Sequence, residues 1–361
     1  MPPKKNWLLR IPSAIYGMAV GIRNFAYDKG VLSSNKSHIP TICVGNLSVG
    51  GTGKTPHIEL LIRLLKDDYK LALLSRGYGR ITKHPIIATS EDTALTIGDE
   101  PFQIKRKFPD LMVYIDGDRL RALRNMEELP EDERPDVVLM DDGFQHRSVI
   151  PSFSIILTSY DNLYTQDSYL PYGTLRDNPK EASRADTIII TNTPRQVTPV
   201  ELRIKRDELN LLAFQHQYFS RVRYESPVCL FNGGKKSQPN WNLFVDTPVI
   251  ILTGIAHPEA FQKLCQSKFT NIRSFIEYPD HHKFSRKDID DLTSRLLGDP
   301  NLNILTTEKD AMRLLAREEW IPEQAKSQIW YVPIHIEISP DCKMGLLNKA
   351  KRAIKNNGLT I

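Results

Sequence analysis

The sequence predicts an α/β fold: a mostly parallel sheet with helices on both faces, plus a smaller second α/β domain joined by a β-ribbon linker. Three observations carry this expectation. Short apolar, β-branched runs alternate with helical stretches from residue 38 onward. The first run leads through a glycine-rich turn into a helix. Near residue 215 the continuous apolar runs give way to alternating polar and apolar residues. The chain has 361 residues, 40% hydrophobic and 25% charged, enough for two domains and unlike a disordered or collagen-like chain.

Residues 1–36 come first and carry the whole charge excess. The net charge is +5, and this segment holds Lys4, Lys5, Arg10, Arg23, Lys29 and Lys36 against Asp28 alone. Ile15, Met18, Ala19, Ile22, Phe25 and Ala26 fall at helical spacing on one stripe, led in by Trp7, Leu8, Leu9 and Ile11. Arg10, Pro12, Gly17, Gly21 and Arg23 interrupt the apolar residues, so a secretory signal is excluded. Two readings of the stripe stay open here: a helix at an anionic membrane surface, or a helix packed on its own domain.

The larger unit that follows is expected over 37–215. Its strands are read at 39–44, 70–75, 136–140, 153–157 and 187–191, with a helix over 56–66 and a turn at 76–80. The linker is placed at 216–245: residues 217–224 alternate as a half-buried strand and are expected to pair with 227–231. Gly233-Gly234-Lys235-Lys236 then break the chain. The smaller domain, 246–361, opens with a strand at 248–252, a turn at Gly254 and a helix over 258–267. Later strands fall at 303–306 and 329–338.

Cys43, Cys229, Cys265 and Cys342 share no CxxC-type spacing, which argues against a zinc site or a disulfide framework and fits a reducing cytosol. No apolar run approaches the ~20 residues that span a bilayer. Beyond residue 36 the charges cancel, so no nucleic-acid surface is expected.

Gly45-Asn46-Leu47-Ser48-Val49-Gly50-Gly51-Thr52-Gly53-Lys54-Thr55-Pro56 is the strongest local signal. Between a strand and a helix it has the context of a P-loop, which makes the sheet P-loop NTPase-like. Gly50, Gly51, Thr52 and Gly53 turn backbone N–H groups toward phosphates, Lys54 reaches the β- and γ-phosphates, and Thr55 holds Mg²⁺. Ser48 stands where the motif has its first glycine, and Gly50 and Gly51 are expected to compensate.

The run 137–142 has Walker-B form, apolar residues ending in Asp141 and Asp142, where Mg²⁺ is bound directly or through water. An acidic turn after a strand is the plain alternative. Gly143-Phe144-Gln145-His146-Arg147 favours the site, because it sets three polar side chains at a sheet's carboxyl edge. Gly98-Asp99-Glu100-Pro101 taken alone is an ordinary loop. In Asp280-His281-His282 the adjacent histidines point apart, which suits acid–base work better than joint metal ligation.

Taken together and in this order, these motifs resemble the tetraacyldisaccharide 4′-kinase family. Ser75-Arg76-Gly77-Tyr78-Gly79-Arg80, Asp116-Gly117-Asp118-Arg119, Leu170-Pro171-Tyr172-Gly173-Thr174-Leu175-Arg176 and Thr306-Thr307-Glu308-Lys309-Asp310 extend the likeness over about residues 7 to 310. The resemblance implies ATP and Mg²⁺ as cofactors and an acylated glucosamine disaccharide 1-phosphate as acceptor. It implies Asp99 as base on the sugar 4′-hydroxyl, supported by His281. Asp141 and Asp142 would handle Mg²⁺, and Arg76, Arg119, Gln145, His146 and Arg176 would bind phosphate or sugar. Asp177 departs from the family's more usual Glu, which leaves its role open. A lipid acceptor tilts the N-terminal stripe toward the anionic membrane, at the cytoplasmic face of the inner membrane, with no obligate protein partner expected. Two rivals of other classes are a membrane-associated nucleotide switch of the partitioning-ATPase type, whose signature lysine is Val49 here, and a soluble ATP-dependent enzyme of cofactor synthesis.

Overall fold

The computed structural model describes residues 7–231 and 241–357. Successive side chains of a strand face opposite sides of its sheet, and here both sides are apolar. Ile42, Val44, Leu71, Leu73, Val137 and Leu139 pack under helices on one face; Cys43, Ala72, Leu74, Val138 and Met140 pack on the other. A sheet buried on both faces is what continuous apolar runs require.

Eight strands form this sheet, in the order His216–Phe219, Thr187–Thr191, Phe153–Ser159, Thr41–Asn46, Val137–Asp141, Leu71–Ser75, Met112–Ile115 and Ile86–Ile87. All pair in parallel except the last. The strand Thr41–Asn46 sits between Val137–Asp141 and Phe153–Ser159, so the glycine-rich loop and Asp141 leave the sheet at neighbouring carboxyl ends.

A second, five-stranded sheet runs Val228–Cys229, Ile329–Val332, Asn303–Thr307, Val249–Thr253 and Ile272–Glu277. Its first pair is antiparallel and the rest are parallel. The strand Ile272–Glu277 is absent from the sequence reading. It lies at the edge with alternately exposed side chains, and Arg273, Ser274 and Glu277 break its apolar pattern.

The connection between the sheets differs from expectation. Residues 217–224 do not pair with 227–231: His216–Phe219 completes the large sheet, while Arg221–Tyr224 pairs antiparallel with Ile334–Glu337 as a two-stranded ribbon. Ser220, fully buried between them, is where the chain changes sheets. The break expected at Gly233-Gly234-Lys235-Lys236 lies outside the described residues, as do Lys4 and Lys5.

The boundary drawn at 246–361 is corrected at its far end. Ile336, Ile338, Leu346, Ala350 and Ile354 belong to the core of the large sheet, not to that of the small one. Helix Pro340–Lys355 lies across the large sheet, and Asn357 donates to the carbonyls of Ser37 and His38. The small sheet is therefore inserted into the first unit, entered and left through the ribbon.

Helix Arg10–Asp28 turns its few polar side chains inward and its apolar ones outward. Ser13 donates to the Tyr169 carbonyl at 2.7 Å, Tyr16 to that of Arg176 at 3.0 Å, and Asn24 to Asp177 at 2.8 Å. Ile11, Ile15, Met18, Ile22 and Phe25 are each at least 60% exposed. No helix among the described residues is long and apolar enough to cross a membrane.

Candidate active site

The glycine-rich loop is braced from both sides. Val49 donates to the Thr174 carbonyl at 2.7 Å, Arg176 to that of Leu47 at 2.8 Å, and Ser48 bridges to Leu175 in antiparallel fashion. Positive φ falls at Gly50 and Gly53, at 112° and 83°, and not at Ser48, so the motif's missing first glycine costs the backbone nothing. Gly53 caps helix Lys54–Leu65. His57, in the first turn, faces the Gly53 carbonyl through Nδ1 and Ser220 through Nε2. Burial pushes this imidazole down to about 4, so it is neutral and ties the loop to the strand crossover.

Asn46, at the end of the loop's strand, gathers the site although the sequence reading gave it no part. Its Nδ2 donates to Thr52 at 2.9 Å, and its Oδ1 accepts from Lys54 at 3.4 Å and from Arg176. Its carbonyl takes Gln145 Nε2 at 2.8 Å. Arg176 also bonds both oxygens of Asp142, and Lys54 lies 3.8 Å from the same carboxylate. Burial alone would raise Asp142, but Arg176 and Lys54 hold it down at about 2.

Asp141 behaves oppositely. Burial and the nearby Glu100 and Asp142 carboxylates push it up to about 7, against Lys54 and Arg119. Ser75 donates to its Oδ2 at 3.3 Å, whereas its buried Oδ1 has no protein partner. An orphaned oxygen beside a second carboxylate and a phosphate cradle fits a divalent cation. No group of three or more His, Cys, Asp or Glu side chains among the described residues forms a metal cage. Mg²⁺ takes one or two carboxylates and completes its shell with phosphate and water, a donor set that Asp141 and Asp142 match.

The second cluster joins the two sheets. Asp99 opens helix Asp99–Lys107, and His281 and Arg313 reach it from the inserted unit. His281 Nδ1 lies 3.5 Å from Asp99 Oδ2, with Nε2 facing Lys309 Nζ at 3.3 Å. Nδ1 also faces Arg313 Nη2 at 3.3 Å, so the imidazole sits between the Asp99 carboxylate and two cations. His281 has φ 60°, a left-handed backbone that is uncommon for a non-glycine residue and recurs at functional sites. Arg313 donates to Asp99 Oδ2 through Nε and Nη2, and through Nη1 to Asp310 and the Gly254 carbonyl, both at 2.7 Å. Burial would raise Asp99; His281, Lys309 and Arg313 hold it well below the usual carboxylate range.

Of the residues expected at substrate, Arg76 is exposed and lines a cavity of about 440 Å³ with Tyr78, Arg80, Lys83, Asp116 and Arg121. His146 is half-buried, pushed down to about 4 by burial and by Arg119 and Arg76. Arg119 departs from expectation: it is 2% exposed and donates to the Asp116 and Asp141 carbonyls. As the first residue of the helix capped by Asp118, it is turned into the core, where its charge acts on Asp141 and Asp142. Asp177, whose role was open, is buried and accepts from Asn24, docking the N-terminal helix. Arg313 was missed; its one sequence signal is its place three residues after Asp310, on the same helical face.

A family model described as tetraacyldisaccharide-1-P 4′-kinase matches residues 5–351. A Parabacteroides distasonis protein named tetraacyldisaccharide 4′-kinase is 43% identical over 341 residues, 94% of this chain and 92% of its own. One of the same name from Porphyromonas gingivalis is 41% identical over 350 residues, 94% of each chain. The crystal structure of LpxK from Aquifex aeolicus in complex with ATP aligns with a TM-score of 0.72 at 26% identity, over 95% of this chain and 97% of that one.

Proposed function

The chain belongs to the tetraacyldisaccharide-1-P 4′-kinase family, and from that premise we propose that it transfers the γ-phosphoryl group of ATP to the 4′-hydroxyl of an acylated glucosamine disaccharide 1-phosphate. The observation that carries this reading is the family match over residues 5–351, which takes in both clusters of the site. Membership sets aside the nucleotide-switch and cofactor-synthesis alternatives.

The P-loop N–H groups, Lys54 and Thr55 receive the ATP phosphates, and Arg176 keeps the cradle in register through Asn46 and Asp142. Asp141, Asp142 and Thr55 would hold Mg²⁺, which when bound draws negative charge from the phosphate oxygens. Asp99 accepts the hydroxyl proton, with His281 orienting its carboxylate. A strongly acidic Asp99 is a weak base, yet phosphoryl transfer passes through a loose transition state in which the nucleophile's bond is little formed. The proton leaves late, so position counts for more than basicity. Arg76 and His146 face the sugar and its phosphate.

Membrane contact is supported by the outward apolar face of helix Arg10–Asp28, whose polar face is already occupied by the protein. Burial of that face in a lipid surface at ~25 cal/mol per Å², with Lys29 over the exposed Phe25 ring beside anionic headgroups, gives reversible binding at the cytoplasmic leaflet, where ATP is present.

The test is incubation with labelled ATP and the acyl disaccharide 1-phosphate. A labelled bisphosphorylated lipid, lost by more than about 10²-fold in folded Lys54→Ala, is the expected result. An unlabelled lipid beside ATP hydrolysis of the same rate would overturn it.

A further inference from the structure

We infer that Lys107, held between Glu59 and Glu308, is a positioning residue for Asp99, fixing the helix that carries Asp99 to the P-loop helix on one side and to the inserted unit on the other. Lys107 Nζ lies 3.0 and 2.8 Å from the two Glu59 oxygens and 2.7 Å from Glu308 Oε1. Glu59, 1% exposed, sits on helix Lys54–Leu65 directly behind the phosphate cradle. It also takes Gln103 at 2.8 Å and Arg63 at 3.1 Å. Glu308, 4% exposed, begins helix Glu308–Leu315, the element that bears Lys309 and Arg313.

These contacts give the Asp99 helix two anchors on helix Glu308–Leu315. At its start Asp99 meets Arg313 and Glu100 meets Lys309 at 3.2 Å; at its end Lys107 meets Glu308. At ~1.5 Å per residue the anchors stand roughly 12 Å apart, which sets rotation as well as translation of the helix. Only the second anchor reaches the P-loop helix. The Lys107 ammonium group is in contact with both other helices at once, and Gln103 adds a second bond from the Asp99 helix to Glu59.

Stability alone does not account for this arrangement. Taking three charges out of water is costly, and isosteric neutral replacements of such clusters often leave stability unchanged or raised. Misplacement of a reacting group by about 1 Å, by contrast, costs on the order of 10²-fold in rate.

The inference rests on Asp99 as proton acceptor, so the experiment separates the two. Glu59→Gln/Lys107→Met/Glu308→Gln removes the charges and keeps side-chain length. The expected result is a melting temperature near wild type, kcat lowered by roughly 10- to 10²-fold and KM for ATP within about threefold. In an Asp99→Ala background the same triple change adds less than about twofold, because the cluster acts through Asp99. Lys107→Arg, which keeps the charge, retains most of kcat. A folded triple variant with wild-type kcat, or a full multiplicative loss on top of Asp99→Ala, overturns the inference. Should the triple variant fail to fold, Glu308→Gln alone, which spares the Lys107–Glu59 contact, is read by the same criteria. An Asp99→Ala enzyme of wild-type rate overturns the base assignment instead.

Discussion

Arg313 donates from both Nε and Nη2 to a single oxygen of Asp99, at 3.0 and 2.8 Å, although 214 positions separate the two residues. The contact spans the two units and neutralises the proposed base before any acceptor sugar is present. Asp99 is consequently ionised throughout the working pH range, and its protonation sets no acid limb there.

Arg313→Gln should change that. Burial would then be opposed by His281 and Lys309 alone, so the Asp99 carboxyl rises and the acid limb of kcat/KM moves to higher pH. The variant leaves a buried carboxylate short of its partner, at a stability cost of about 3–5 kcal/mol. The sign for wild type follows from linkage. A depressed carboxyl contributes stability above its unfolded value of about 3.9 and loses it as pH falls through the folded value. Rate profiles from pH 4 to 8 check the first statement and thermal melts carried below pH 4 the second; an unmoved acid limb would count against the Arg313 lock.

Asp99→Ala and His281→Ala are each expected to lower kcat by ~10²–10⁴-fold with smaller effects on ATP binding. His281 faces Asp99 at 3.5 Å and acts through it, so the double variant should be little slower than the worse single one. Losses that multiply would show that the residues act independently.

Asp141 makes the nucleotide-free protein pH-sensitive in the opposite sense. Its carboxyl is raised to about 7, so the folded state holds a proton that the unfolded state has released, and stability falls as pH rises from about 4 to about 7. Asp141→Asn should make the melting temperature less dependent on pH over that window. Mg²⁺ with ADP should raise the wild-type melting temperature more at pH 8 than at pH 6, since the cation needs the ionised form. Equal gains at both pH values would argue against Asp141 as a Mg²⁺ partner.

Truncating the N-terminal helix confounds its two faces, which substitutions can address one at a time. Met18→Glu/Ile22→Glu changes exposed side chains and should abolish flotation with anionic liposomes while leaving the melting temperature within about 2 °C. Asp177→Ala removes the partner of buried Asn24 and should cost about 1–3 kcal/mol of stability. Undiminished flotation of the double glutamate variant is the outcome that sinks the membrane assignment.

The large sheet and the phosphate cradle were legible because their determinants are contiguous. An apolar run, a glycine turn and a helix start lie within residues 41–56, and local chemistry decides them. The pairing of Arg221–Tyr224 with Ile334–Glu337 was not, since any alternating strand suits any open edge and only tertiary packing selects the partner. Arg119 shows a related limit: a motif arginine reads as a ligand until burial turns it inward. Asp99 and His281 are 182 positions apart, and no spacing rule could join them; their pairing came from resemblance. Arg313, Glu59 and Lys107 lie in no motif, and the Glu59–Lys107–Glu308 cluster exists as a group only once the two units meet.

The return of helix Pro340–Lys355 to the large sheet has a consequence for the chain's birth. Nascent domains ordinarily fold one after another as they leave the ribosome. Here the first unit cannot do so, because Leu346, Ala350 and Ile354 must cover its Phe153–Tyr218 side and are translated after the whole inserted unit. A growing chain therefore carries an uncovered apolar sheet face for more than a hundred codons beyond His216–Phe219. A premature stop anywhere in the insert would release a product whose core lacks Leu346, Ala350 and Ile354, a substrate for chaperones and proteases. Translation to the last helix is thereby a condition for a covered core, and partial copies eliminate themselves.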